Sequence, residues 1–416
     1  MGIERIEIEG FRSLKHAVWE PSNLNVLIGP NGSGKSNLLS GLALLSAATR
    51  DELEQALDDA GGFRSLSWSH GEGALNWIVQ LTAPSEADSG APLGSEQERQ
   101  RSYQLVVEGV HRDGQLVDFA IASERLEHAS AAPSGVSSAS APAVLIERNH
   151  GQAAIRNEFG TEIDVAKRLD IHEPLLALRS SLAPDAVAET RDEITKWVCY
   201  QDTPVGPTSE IRRSAKARRE DTVASDGQNL ASVIHTHYPR DDRTTEAIND
   251  AMYAAFGDDF DKLLTPPAED GRVQLRIKWK SLKDSLSAYE LSDGILRFLL
   301  LITILSQPNP PPLIAIDEPE TGLHPRMMSI IAEYAAEASE KTQVILTTHS
   351  PEFLDAFRDT IPKVTVAFWE DGQTVLRSPN PDVLQHWLKE YTLGSLMSSG
   401  ELENEAEVCQ PEEEGK

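Results

Sequence analysis

The sequence predicts an α/β fold interrupted by an inserted antiparallel β lobe and a helical lobe. Three observations carry this. The glycine-rich octapeptide Gly29-Pro30-Asn31-Gly32-Ser33-Gly34-Lys35-Ser36 stands between the apolar run Leu24–Ile28 and a helix-forming run that begins at Asn37. Two more apolar runs read as buried strands: one from Pro312 ends in Asp317-Glu318, and one from Thr342 ends in His349. Between these blocks, residues 63–153 change to the alternating pattern of half-buried strands.

The octapeptide fits G-x-x-x-x-G-K-[ST], and strand–loop–helix is the context that motif needs. Its glycines let backbone N–H groups turn inward around phosphate oxygens, and the helix N-terminus adds partial positive charge. Gly29 through Ser36, with Asn37, are therefore expected to bind a nucleoside triphosphate. Lys35 would reach the β- and γ-phosphates, and Ser36 would ligate Mg²⁺. Asp317, at a strand end, is placed to hold the same metal. Glu318 is placed to polarise the attacking water, since phosphoryl transfer to water asks for one carboxylate on the metal and one on the nucleophile. His349, at the next strand end, can contact the γ-phosphate and orient that water.

The 416 residues suffice for two or three compact units. The longest apolar run, Ile295–Leu305, is interrupted by Arg297 and is too short to span a bilayer. No signal pattern opens the chain. Two cysteines, Cys199 and Cys409, give no disulfide framework or cysteine-rich metal site. The expectation is a soluble cytoplasmic protein that makes no use of a membrane. The formal charge of −28 argues against strong nonspecific DNA binding by a monomer, although it says nothing of local grooves.

Taken in order, Ile6 and Ile8 alternate with Glu7 and Glu9 as a half-buried strand, and a second strand precedes the phosphate loop. A further helix is expected over Arg50–Ala60. Leu75–Leu81, Tyr103–Val107, Leu116–Ile121 and Ala143–Ile146 read as strands, with a hairpin turn at Arg112-Asp113-Gly114. Ala83–Arg101 and Ala129–Pro142 are rich in Ser, Ala, Pro and Gly and read as mobile surface loops. Ile163–Tyr200 reads as helical, as do Asn229–Tyr238 and Thr244–Phe256, and Val273–Trp279 alternates as one strand. The only marked basic cluster is Arg212, Arg213, Lys216, Arg218 and Arg219, which reads either as a solvated loop or as a contact for nucleic acid or an acidic partner. The tail's Glu401, Glu403, Glu405, Glu407 and Glu412–Glu414 read as solvated and disordered. These boundaries give a nucleotide head over 1–60 and 280–398, a β lobe over 61–160, a helical lobe over 161–279 with a basic loop at 211–219, and a tail over 399–416.

The order of phosphate loop, Leu291-Ser292-Asp293-Gly294, Asp317-Glu318-Pro319, Glu320-Thr321-Gly322-Leu323-His324-Pro325 and Thr348-His349-Ser350 resembles an ABC-type ATPase head. The opening Ile8-Glu9-Gly10-Phe11-Arg12-Ser13-Leu14 resembles the SMC–RecF branch, and the whole is similar to single-chain bacterial AAA-family predicted ATPases, whose heads resemble those of OLD-family nucleases. The chain leaves no room for the Toprim domain of those nucleases. The resemblance covers residues 1–50 and 285–360. It implies ATP and Mg²⁺ as cofactors and a homodimer that sandwiches ATP, with Ser292 and Gly294 reaching the nucleotide of the partner and Arg12 lying beside the base or phosphates. Where such signatures usually carry two glycines, this chain has Asp293-Gly294. The resemblance leaves two roles open. In one, ATP-dependent dimerisation gates association with DNA in repair or genome maintenance. In the other, the chain is a regulatory ATPase subunit of a phage-defence system that controls a separately encoded nuclease or other effector.

Overall fold

The structure, a computed structural model, describes residues 2–68, 73–82, 100–128, 142–150, 152–157, 160–163, 170–179, 183–268, 271–358 and 360–408. It divides into two compact units, each discontinuous in sequence. The first comprises Met1–Ser22, Pro30–Trp197 and Ala367–Leu376, and the second Asn23–Gly29, Val198–Val366 and Arg377–Lys416.

The first unit is built on strands β1 (Gly2–Phe11) and β2 (Leu14–Trp19). After β3 (Leu24–Ile28), which belongs to the second unit, come β4 (Ala74–Thr82), β5 (Gln100–Arg112), β6 (Gln115–His128), β7 (Ala143–Asn149), β8 (Gln152–Arg156) and β9 (Glu162–Ile163). They form one eight-stranded sheet in the order β2-β1-β4-β5-β6-β7-β8-β9, antiparallel throughout. Alternation in β4 puts Leu75, Trp77, Val79 and Leu81 on the buried face, the signature of a sheet with one covered side. Asp113 and Gly114, both at positive φ, close the β5–β6 hairpin as an inverse turn matched to strand twist. The β lobe is continuous with the N-terminal hairpin rather than a separate insert, because β1 pairs on both edges: Ile8 is opposite Ala17 of β2 and Trp77 of β4. Helix α1 (Lys35–Thr49) buries Leu38, Leu39, Leu42 and Leu45.

The second unit centres on five parallel strands in the order β10-β11-β12-β3-β13, where β10 is Val198–Tyr200, β11 Leu313–Ile316, β12 Gln343–Thr347 and β13 Lys363–Glu370. Every residue of β3, β11 and β12 is buried. That is why they read as unbroken apolar runs: a parallel sheet is covered on both faces. Strand β13 runs on past Val366 into the first unit, where Asp371-Gly372 turns it into β14 (Gln373–Arg377). A helix that is apolar on all sides, α5 (Asp293–Leu305), buries Phe298 through Leu305 and packs by edge-on rings, with Phe256 5.4 Å from Trp279 and 6.0 Å from Phe298.

Several expectations are corrected. Among the described residues of Ile163–Tyr200 the one α-helix is α2 (Asp185–Thr195), and the end of the range is the edge strand β10 rather than helix, since Cys199 and Tyr200 complete the parallel sheet beside β11. Val273–Trp279 is not one strand. Arg272–Val273 and Arg276–Trp279 belong to two different three-stranded sheets. The tail does not begin disordered: Glu401–Val408 is a helix that buries Leu402 and Ala406 and leaves Glu401 and Glu407 exposed. Glu412–Glu414 and the loop Ala129–Pro142, except Pro142, lie outside the described residues. So does Ala83–Arg101, except for its last two residues, which are in β5.

A buried polar cluster closes the first unit. Glu124, fully buried on β6, accepts from Tyr103 Oη at 2.9 Å and from the N–H groups of Leu175 and Leu176 at 2.6 and 2.8 Å. Arg148 on β7 donates to the carbonyls of Glu173 and Asp170 at 2.8 and 2.9 Å. Together they pin the irregular segment 170–177 to the sheet. Burial raises the Glu124 carboxyl above its ordinary range, against the opposing pull of those hydrogen bonds and of Arg148. Glu124→Ala strands two buried N–H groups and the Tyr103 hydroxyl, and should lower stability by about 3 kcal/mol. The check is a shift of the urea midpoint at unchanged m-value.

Candidate active site

In the first unit the phosphate loop is wound by glycines in the left-handed region, Gly32 at φ +83° and Gly34 at φ +98°. Gly34 caps α1 with no side-chain hydrogen bond, and the first turn carries no acidic residue. An N-terminus of this kind, with no carboxylate to compete, suits an anion. Lys35 is buried and its Nζ donates to Pro30 O at 3.1 Å, so the ammonium points into the curl of the loop. These features fit a nucleoside polyphosphate.

The loop is braced from β14. Thr374 is fully buried; its N–H donates to Ser13 O at 2.8 Å and its hydroxyl donates to Ser33 O at 2.8 Å. Ser13 Oγ in turn lies 2.7 Å from Thr374 Oγ1 and accepts from Asn37 Nδ2 at 2.7 Å. Arg12, at φ +49°, leans over Phe11 and donates to Asn37 Oδ1 and Ser40 Oγ at 3.4 and 3.3 Å. Its guanidinium thus stands beside the first turns of α1, and burial lowers its pKa.

In the second unit the carboxyl ends of β3, β11 and β12 lie together. Leu27 pairs with Thr347, Leu346 pairs with Ile316, and Thr348 N–H donates to Leu27 O at 2.9 Å. Ligands of open α/β sheets bind at such ends. Three consecutive residues of β12 and its exit hold the acidic stretch after β11. Thr347 Oγ1 donates to Asp317 Oδ1 and accepts from Glu318 N–H at 3.0 Å. Thr348 Oγ1 donates to Glu320. His349 Nδ1 lies 3.0 Å from Glu318 Oε1, within hydrogen-bond distance of the carboxylate. Glu318 sits at φ +45°, an uncommon conformation for a residue with a side chain. Glu320 is buried with Oε2 unpartnered, and burial raises its pKa more than the Thr348 hydrogen bond lowers it. Asp317 and Glu318 remain half-buried, open enough to meet a metal and a water.

Ser292 caps α5, accepting from Ile295 N–H at 3.3 Å. Asp293, which stands where a signature glycine was expected, forms an ion pair with Arg212 at 2.5 Å. Arg212 is buried, and it also donates to Ala288 O and Leu291 O at 2.7 Å each and to Val205 O at 2.7 Å. It is therefore a brace for the segment leading into Ser292, not a surface contact for nucleic acid. The remaining arginines of that cluster pair locally: Arg213 with Glu210, Arg218 with Glu220, and Arg219 with Asp221.

A sequence profile for the family described as "AAA domain, putative AbiEii toxin, Type IV TA system" matches residues 24–355. The chain belongs to that family. Among solved structures, the SmcHead bound to the C-winged helix domain of ScpA is similar at 16% identity and a TM-score of 0.54, over 92% of this chain and 100% of that one. The Smc head domain with an extended coiled coil, bound to the C-terminal domain of ScpA derived from Pyrococcus furiosus, is similar at 14% identity and a TM-score of 0.50, over 94% and 99%. No curated protein matches. The fold is that of an SMC/RecF-like ABC-type ATPase head. A P-loop ATPase of this family implies a nucleotide and typically Mg²⁺. No described helix is long and apolar enough to cross a membrane.

Sequence reasoning missed Thr347, Thr348, Thr374 and Arg297 in this ATPase head, and read Arg212 only as part of a solvated loop or partner contact. Only the two threonines before His349 carried a signal, as hydroxyls closing an apolar strand. A Cβ at Gly34 would fall 1.9 Å from Thr374 Oγ1, on a backbone that side chains rarely adopt. Gly34→Ala should therefore keep the fold, by circular dichroism, while weakening ATP at least about tenfold in a fluorescent-nucleotide titration.

Proposed function

We propose that the chain is an ATP-hydrolysing switch that closes as a head-to-tail homodimer around ATP and reports its state to a separately encoded protein partner. The observation that carries the ATPase part is the Asp317–Glu318–His349 arrangement at adjoining strand ends, with His349 fixing the Glu318 carboxylate. In this reading Lys35 binds the β- and γ-phosphates and Gly29–Asn37 cradle them. Ser36 and Asp317 hold Mg²⁺. Glu318 takes the proton of the attacking water, and His349 orients that water against the γ-phosphate. Bound Mg²⁺ would supply charge neutralisation at the phosphates. Ser292 and Gly294 would complete the site of the opposing protomer from a helix N-terminus.

A protein partner is favoured over a DNA clamp. A nucleic-acid surface needs uncompensated cations, yet Arg212 is buried, Arg213, Arg218 and Arg219 each have an acidic neighbour, and the chain carries −28. The family's description, which names a type IV toxin–antitoxin system, supports control of a cognate component, as in defence. SMC heads of the same fold were captured with a bound protein, ScpA.

Lys35→Ala should lose nucleotide binding and turnover together; wild-type ATPase activity in that variant would sink the phosphate-loop assignment. Glu318→Gln should bind ATP normally and hydrolyse it at least about a hundredfold more slowly, accumulating a dimer visible by light scattering. DNA titrations of that ATP-loaded variant across a salt series decide the partner class. Little binding at low salt is expected, whereas tight binding with a steep salt slope would restore the DNA-gating role.

A further inference from the structure

Helix α5 begins at the Ser292–Gly294 signature and touches the Glu318 turn at two points. The first is a close approach, in which a Cβ on Gly294 would lie 3.0 Å from the carbonyl oxygen of Gly322. The second is one turn along the helix, where Arg297 Nη2 donates to the carbonyl of Glu318 at 3.0 Å. Glu318 is the residue at φ +45°. A backbone strained in this way persists only where its surroundings over-determine it. Three groups do so here. Thr347 Oγ1 holds the Glu318 N–H, His349 holds its carboxylate, and Arg297 holds its carbonyl. The first two belong to the end of β12, part of the sheet, whereas Arg297 belongs to the signature helix.

The Arg297 side chain is also built for this place. Its Nε is buried without a partner, although an exposed arginine would have water there. Burial lowers its pKa, and the charges of Glu320, Glu318, Asp317 and Asp202 oppose that shift. Its neighbours in sequence, Leu296 and Phe298–Leu301, are apolar and buried, so a cation at this position of the helix asks for a polar partner.

We infer that Arg297 is a positioning residue for ATP hydrolysis: it ties the strained Glu318 peptide to the signature helix, so that the setting of Ser292–Gly294 fixes where the Glu318 carboxylate points. The signature and the water-activating base are then parts of one mechanical element. A phosphate engaged at Ser292 and Gly294 bears on Glu318 through one turn of helix, without any displacement of the sheet that carries Asp317. This rests on the proposed role of Glu318 as the base.

The test uses the full chain and steady-state and single-turnover ATP hydrolysis. Arg297→Met keeps the length of the side chain and removes its donors, while Arg297→Lys keeps the charge but replaces the planar fork. We expect kcat to fall about tenfold or more in Arg297→Met with the KM and Kd for ATP within about threefold of wild type, and Arg297→Lys to recover part of the loss. In the Glu318→Gln background, Arg297→Met should cost no further rate beyond about twofold, since a group acting through Glu318 has nothing left to position. Losses that multiply in the double variant, or ATP affinity that falls in step with kcat, would overturn the inference in favour of a structural or binding role. If Arg297→Met fails to fold, the Arg297→Lys series is read in the same way, alone and with Glu318→Gln. Wild-type turnover by Glu318→Gln would instead remove the underlying role of Glu318, an outcome distinct from wild-type turnover by both Arg297 variants, which removes only this inference.

Discussion

The proposed role of Glu318 asks it to present its carboxylate outward from the end of a buried strand. The chain achieves this by bending at Glu318 itself, at φ +45°. Such a conformation costs on the order of 1–3 kcal/mol at a residue with a side chain. The hydrogen bonds from Thr347, His349 and Arg297 offset that cost, each to a different group of the same residue. Much of the second unit serves to deliver those three donors or acceptors: β12 brings two of them, and α5 brings the third. Because the parallel sheet buries β11 and β12 completely, their ends have little freedom to shift, and the geometry at Glu318 inherits that rigidity.

The phosphate loop of the first unit meets the opposite problem. A loop that must aim N–H groups inward cannot be stiffened by side chains of its own, since Gly29, Gly32 and Gly34 all sit at positive φ. Stiffness comes from outside, through the hydroxyls of Ser13 and Thr374 and the amide of Asn37. These residues lie far apart in sequence, and two of them close the circle only because β13 turns back at Asp371-Gly372. The strained glutamate and the glycine-wound loop are thus both held by polar side chains from neighbouring segments.

What the sequence disclosed follows from the range of each interaction. The phosphate loop, the Asp317-Glu318 pair and His349 are local words, in which residue type and strand context stand side by side, and they are legible without a fold. The eight-stranded sheet was legible as alternation, but its continuity with β1 was not, since period-2 patterning does not say which edges meet. Strand β10 was missed because three residues next to a helix carry no periodicity. Arg212 and Arg297 were misread or passed over for a different reason: an arginine in a polar stretch or on an apolar helix looks the same whether it is solvated or braces five carbonyls. Only tertiary approach reveals that Arg212 holds Val205, Ala288 and Leu291 while Arg218 and Arg219 stay at the surface.

Asp293 makes the last of these contacts consequential. A carboxylate in the first turn of α5 is favoured by the helix dipole, by about 0.3–1 kcal/mol, and here it gains a buried arginine as well. In the proposed closed dimer, that same N-terminus is where a phosphate of the opposing protomer would arrive. An unpaired Asp293 would repel it, because at such short range two anions sharing one helix terminus lose more than the dipole supplies to either. The ion pair with Arg212 offsets part of that repulsion. A glycine would have cleared the way with no charge at all. Keeping an acid and neutralising it makes the electrostatics of the signature depend on the 205–212 segment, so anything that displaces that segment would expose the Asp293 charge and weaken closure. Arg212, read from sequence as part of a solvated loop or a contact for nucleic acid or an acidic partner, is instead buried against this helix N-terminus.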